Sequence, residues 1–68
     1  MIASEVRNLT SESEKLDYFR QVVARLQDDA ANLVAAGEDF PALWRNALRL
    51  EATLKMMSLE LADEVESA

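Results

Sequence analysis

The chain has 68 residues, a formal net charge of -6 and neither histidine nor cysteine, so it offers no imidazole base, no thiolate, no disulfide and none of the nitrogen and sulfur ligand sets that zinc prefers. With 50% hydrophobic and 29% charged residues, it has the composition of one small folded, soluble domain rather than of a disordered chain. Its acidity opposes long-range attraction to nucleic acid or to an anionic membrane.

The opening residues, Met1-Ile2-Ala3-Ser4-Glu5, carry neither the basic region nor the apolar stretch of a secretory signal. No apolar run approaches the length of about 20 residues that spans a bilayer. A cytoplasmic protein is expected, and the lack of cysteine agrees with a reducing compartment. Ile2, Val6 and Leu9 have helical spacing, and Thr10-Ser11 is a cap signal that separates them from the first long helix. Residues 1–10 are therefore read as a partly helical arm and residues 11–68 as the domain, with one continuous helix from Ala3 as the competing reading.

Leu16, Phe19, Val23, Leu26, Ala30 and Leu33 alternate steps of three and four, the heptad pattern of a helix with one apolar seam. Ser11 and Glu14 fit a capping box in which the hydroxyl accepts from the Glu14 N–H and the carboxylate returns to the Ser11 N–H. The first helix should start near Ser11 and stop at Gly37, in a left-handed conformation that satisfies the last carbonyls. Gly37 and Pro41, the only glycine and proline, mark a turn between two long elements.

Past the turn, Asp39 is expected to cap a second helix, with Pro41 in its first turn where no hydrogen bond is lost. This helix should run from about Phe40 to about Val65. Its seam is Phe40, Leu43, Ala47, Leu50, Leu54, Met57 and Leu61. A tight turn centred near Glu38 sets these against the first helix in the layers Leu33/Leu43, Ala30/Ala47, Leu26/Leu50, Val23/Leu54, Phe19/Met57 and Leu16/Leu61. The expected fold is thus all-α, a two-helix antiparallel hairpin.

One such seam is marginal against the conformational entropy of ordering the chain. The second helix also carries Leu48, Ala52 and Leu59, with Met56 at the margin, on a stripe roughly opposite Leu50 and Leu54, and Trp44 bridges from the seam toward it. A helix apolar on two sides calls for two neighbours. Dimerisation into a four-helix bundle, or clamping to helices of another protein, answers that need, and Trp44, Leu48, Ala52, Met56 and Leu59 are the expected partner-binding residues.

Chemistry finds little support. Lys55 and Ser58 have dyad spacing, but a solvent-facing lysine is no base and nothing supplies an oxyanion hole. Asp28 with Asp29, and Glu60 with Asp63 and Glu64, lack both calcium-loop geometry and the histidine of helical metal sites, so a solvated face is expected, with no cofactor. Arg45 and Arg49 near the start of the second helix, and the acids near its end, oppose its dipole; Asp28 and Asp29 lie level with the arginines, for which ion pairing or solvation is expected.

The run Leu50-Glu51-Ala52-Thr53-Leu54-Lys55-Met56-Met57, with Leu43 seven residues before it in an acidic hairpin, resembles the second helix of the YscE/PscE-like co-chaperones of type III secretion needle subunits. The resemblance implies a hairpin that pairs with a helical-repeat chaperone to hold an aggregation-prone filament subunit. From the residues themselves we expect a non-enzymatic protein that works by association: with itself, as a small structural or regulatory homodimer; as an adaptor for another protein's helices; or, if Arg20, Arg25, Arg45 or Arg49 converge on one face, as a small RNA-binding hairpin. Membrane binding is not expected.

Overall fold

The computed structural model of the chain describes residues 11–67. They form two helices, α1 over Glu12–Ala36 and α2 over Pro41–Ser67, which a short turn folds back against each other. The fold is the expected all-α helical hairpin. Whether Ile2, Val6 and Leu9 extend α1 falls outside the described residues.

Ser11 starts α1 as its sequence suggests. Its backbone is extended, at φ -101° and ψ 154°, and its hydroxyl accepts from the Glu14 N–H at 3.0 Å. The same hydroxyl donates to Glu14 Oε1 at 3.0 Å, so the carboxylate also engages the side chain that caps the helix. Glu12 and Glu14 in the first turn complement the helix dipole.

Gly37 departs from expectation. Its φ of -88° and ψ of 2° are open to any residue, and its N–H donates to the Leu33 carbonyl at 2.9 Å, prolonging the helical pattern by one bond. Glycine is needed for space: a Cβ there would lie 2.9 Å from the Leu33 carbonyl oxygen and 3.3 Å from the Cα of Trp44. The backbone of α2 thus crosses directly over a residue with no side chain.

The start of α2 differs too. Pro41 is its first residue, which makes Phe40 rather than Asp39 the capping position; the Phe40 carbonyl accepts from the Trp44 N–H at 2.8 Å. Proline's fixed φ suits that first position, and the Phe40 N–H is held by the Gly37 carbonyl at 2.8 Å. The helix then runs two residues past Val65, where the Ser67 hydroxyl donates back to the Asp63 carbonyl at 2.9 Å.

The buried residues obey one rule. Val23 and Ala30 on α1 with Gly37 just past its end, and Ala47, Leu54 and Leu61 on α2, are spaced seven apart, and this single row from each helix closes the seam. With half-buried Leu16 the α1 row reads Leu, Val, Ala, Gly toward the turn, while α2 reads Leu61, Leu54, Ala47 in the same direction. Side-chain volume between the helices therefore falls steadily toward the turn. Ala30, at 0% exposure, sits where both rows have shrunk to a methyl group.

The other row corrects the expected layers. Phe19, Leu26 and Leu33 on α1, and Leu43 and Leu50 on α2, remain between 39% and 65% exposed, and Met57 is half-buried. Spacing assigns these residues to the intrachain seam, yet two helices cover only one of the two heptad rows on each. The molecule measures 44 × 27 × 14 Å, and its smallest dimension is close to the diameter of about 10–12 Å of a single helix. No helix among the described residues is long and apolar enough to cross a membrane.

Candidate protein-association surface

Seven residues are nearly two helical turns, so Phe19, Leu26 and Leu33 return to one side of α1, and Leu43, Leu50 and Met57 to one side of α2. Both sides open in the same direction. Near the turn, Leu33, Phe40, Leu43 and Leu50 line a hollow of about 470 Å3. Farther along, Phe19, Val22, Leu26 and Met57 line another of about 430 Å3, with Lys15 and Tyr18 at its border. At the far end Phe19 and Met57 meet Glu60 and Glu64. One apolar face thus runs the length of the hairpin, with charge at its edges.

The stripe singled out from the sequence lies elsewhere on α2. Leu48 is half-buried and shares a shallow hollow with Ala52, Gln27, Glu51 and Lys55, where apolar and polar surface are mixed. Met56 and Leu59 are well exposed, and Trp44 is 39% exposed with its backbone against Gly37. The structure brings Leu48 and Ala52 together, and the hollow that contains them does not include Met56 or Leu59. It shows a more continuous apolar surface on the open seam face. Residue size would have revealed this: the small residues of the seam, Ala30, Gly37 and Ala47, all fall in one row, and a row of small residues is the one that lets two backbones approach.

The charged groups are almost all solvated. Arg20 pairs with Asp17 one turn earlier at 3.0 Å, with both side chains more than half exposed. Arg45, Arg49, Asp28 and Asp29 are exposed and form no ion pair among the described residues, so of the two expectations for them it is solvation that holds. The four arginines do not converge: Arg20 is tied to Asp17, Arg25 lies two residues past buried Val23 on the outer side of α1, Arg45 lies on the outer side of α2, and Arg49 borders the open face. α2 has no acid in its first turn and no base in its last. Lys55 is exposed and Ser58 half-buried, and no group of three or more potential metal ligands occurs among the described residues.

The content of this surface decides what it can bind. It presents large aliphatic and aromatic side chains with almost no polar group between them, which suits packing against other helices and offers little to a small polar ligand. No family model matches the chain, and no curated protein or solved structure matches it either.

Proposed function

We propose that this chain acts without catalysis, through helix-to-helix association, and in the first place with itself as a small structural or regulatory protein. The observation that carries this reading is the open face, on which Leu33 and Leu43 are 53% and 65% exposed although both belong to the heptad seam. Complete burial of such a side chain contributes about 1.5–3 kcal/mol. Six of them, roughly half exposed, represent on the order of 5 kcal/mol per copy. Two copies reach the same order as the 4–15 kcal/mol or so lost in joining two bodies. Gain and cost nearly cancel, so a reversible dimer that depends on protein concentration is the expected result.

The test is sedimentation velocity across a concentration series, with thermal melts at each concentration. Mass should double and the melting temperature should rise with concentration. A concentration-independent monomer that melts cooperatively would remove self-association. It would favour an adaptor or co-chaperone that lays its open face on another protein's helices, as the resemblance to needle-subunit co-chaperones implies. The second exposed set, Trp44, Met56 and Leu59, supports that alternative, because a homodimer closed on one face leaves these side chains available to a different chain.

A further inference from the structure

We infer that the open face is covered by a second copy related by a two-fold axis parallel to the helices, so that both turns lie at the same end and each α1 packs against the partner's α2. This rests on the self-association reading and adds its geometry. The apolar residues of the open face are arranged by level. They fall in three steps along the hairpin: Leu33 with Leu43 nearest the turn, then Leu26 with Leu50, then Phe19 with Met57. An axis along the helices sets each step against the same step of the other copy, so every large side chain meets another. Inverting one copy end over end about the Leu26/Leu50 step also pairs the steps, Leu33 with Phe19 and Leu43 with Met57, so the apolar levels favour a second copy in either orientation.

Charge along the borders of the face distinguishes the two orientations. Asp29 lies three residues after Leu26 and four before Leu33, at the α1 edge of the face; Arg49 precedes Leu50 at the α2 edge. Lys15 borders the middle hollow and Glu60 and Glu64 the far one. When α1 lies antiparallel to the partner's α2 at the intrachain register, Asp29 comes level with the partner's Arg49, and Lys15 comes between the partner's Glu60 and Glu64. Opposite charges meet at two levels, twice over by symmetry. End-over-end packing about the Leu26/Leu50 step instead brings each Arg49 within two residues of the level of the partner's Arg49, like charge against like. The apolar steps drive association in either orientation, and the border charges choose between the two.

The absence of cysteine makes the test clean. Exposed Glu38 at the turn is replaced, Glu38→Cys, and carries a nitroxide; the distance between labels is measured in the dimer while sedimentation of the same sample reports its mass. Neighbouring helices are about 8–10 Å apart, so labels on adjacent turns should lie within about 25 Å. A dimer whose labels are separated by most of the 44 Å length of the hairpin overturns this geometry and leaves self-association standing. A sample that stays monomeric at every concentration overturns both. Charge exchange provides the second readout. Asp29→Arg and Arg49→Asp should each weaken the dimer several-fold, and the two together should restore it. A double variant weaker than either single one overturns the proposal, because end-over-end packing sets each of these residues against a different partner charge.

Discussion

Leu54 and Leu50 are the same residue one turn apart on the same helix, yet Leu54 is 2% exposed and Leu50 is 39% exposed. The difference belongs to their rows. Leu54 shares its row with Ala47 and Leu61, and that row faces the row of Val23, Ala30 and Gly37; Leu50 shares its row with Leu43 and Met57 and opens sideways. A heptad supplies two apolar positions per repeat, and in a hairpin only one points straight at the neighbouring helix. Hydrophobicity treats the rows alike, while packing separates them into a row that holds the hairpin together and a row that awaits a second layer.

The largest effect should come from the closed row. Leu54→Ala should lose about 2–5 kcal/mol of stability through transfer and cavity terms. Leu50→Ala, with much of its surface already in water, should cost less than half as much, and should act mainly on the concentration dependence of the melt. Urea titrations at two protein concentrations check both. Equal losses would show that the two rows are equally buried under the conditions of the experiment.

Next come the tight places near the turn. Ala47→Leu should overpack the layer it shares with Ala30 and cost about 1–3 kcal/mol. Gly37→Val should fall in the same range by contact with the Leu33 carbonyl and the Trp44 backbone, without a backbone penalty since φ is negative. If either variant is more stable than the parent, the helices do not approach closely there.

Association should separate the open face from the stripe on the far side of α2. Leu26→Glu with Leu50→Glu should keep the circular dichroism of two helices and weaken self-association by at least about tenfold, which corresponds to about 1.4 kcal/mol. Leu48→Glu with Leu59→Glu should change self-association less. The reverse order, read by sedimentation, would move the interface to the Leu48 stripe.

The smallest effect compares the two helix starts. Ser11→Ala removes the acceptor for the Glu14 N–H and should cost about 1 kcal/mol. Asp39→Ala should leave stability almost unchanged in the same thermal melts, because Phe40 occupies the capping position.

Much of this architecture is legible in the sequence. The steps of three and four through Leu16 to Leu33 and Leu43 to Leu61, the Ser11 cap and the facing alanines at 30 and 47 yield the hairpin and its register. Sequence and structure diverge where neighbouring choices have similar local energy. Asp39 and Phe40 compete for one cap, and Pro41, which favours the first helical position, decides for Phe40. Gly37 satisfies a left-handed turn or a close backbone approach equally well, and the passage of Trp44 over it makes it the second. The open row is hidden because spacing alone places a residue on a stripe and leaves undetermined how much of that stripe two helices can cover. The stripe of Trp44, Leu48, Ala52, Met56 and Leu59 is largely exposed, while the longer apolar surface lies within the residues that spacing assigns to the seam.

The tapering seam gives the hairpin a direction of opening. At the turn the helices are tied by the chain itself, and Ala30, Gly37 and Ala47 leave little room between them. At the other end Leu16 is half-buried and no covalent tie limits separation from Leu61. Thermal fluctuations therefore unzip the pair from the Leu16 end, and amide hydrogens along Val23 to Val34 should outlast those near Leu16 in exchange with deuterium. A protease that cuts after basic residues would meet Lys15 and Arg20 in opened chain long before it met Arg45.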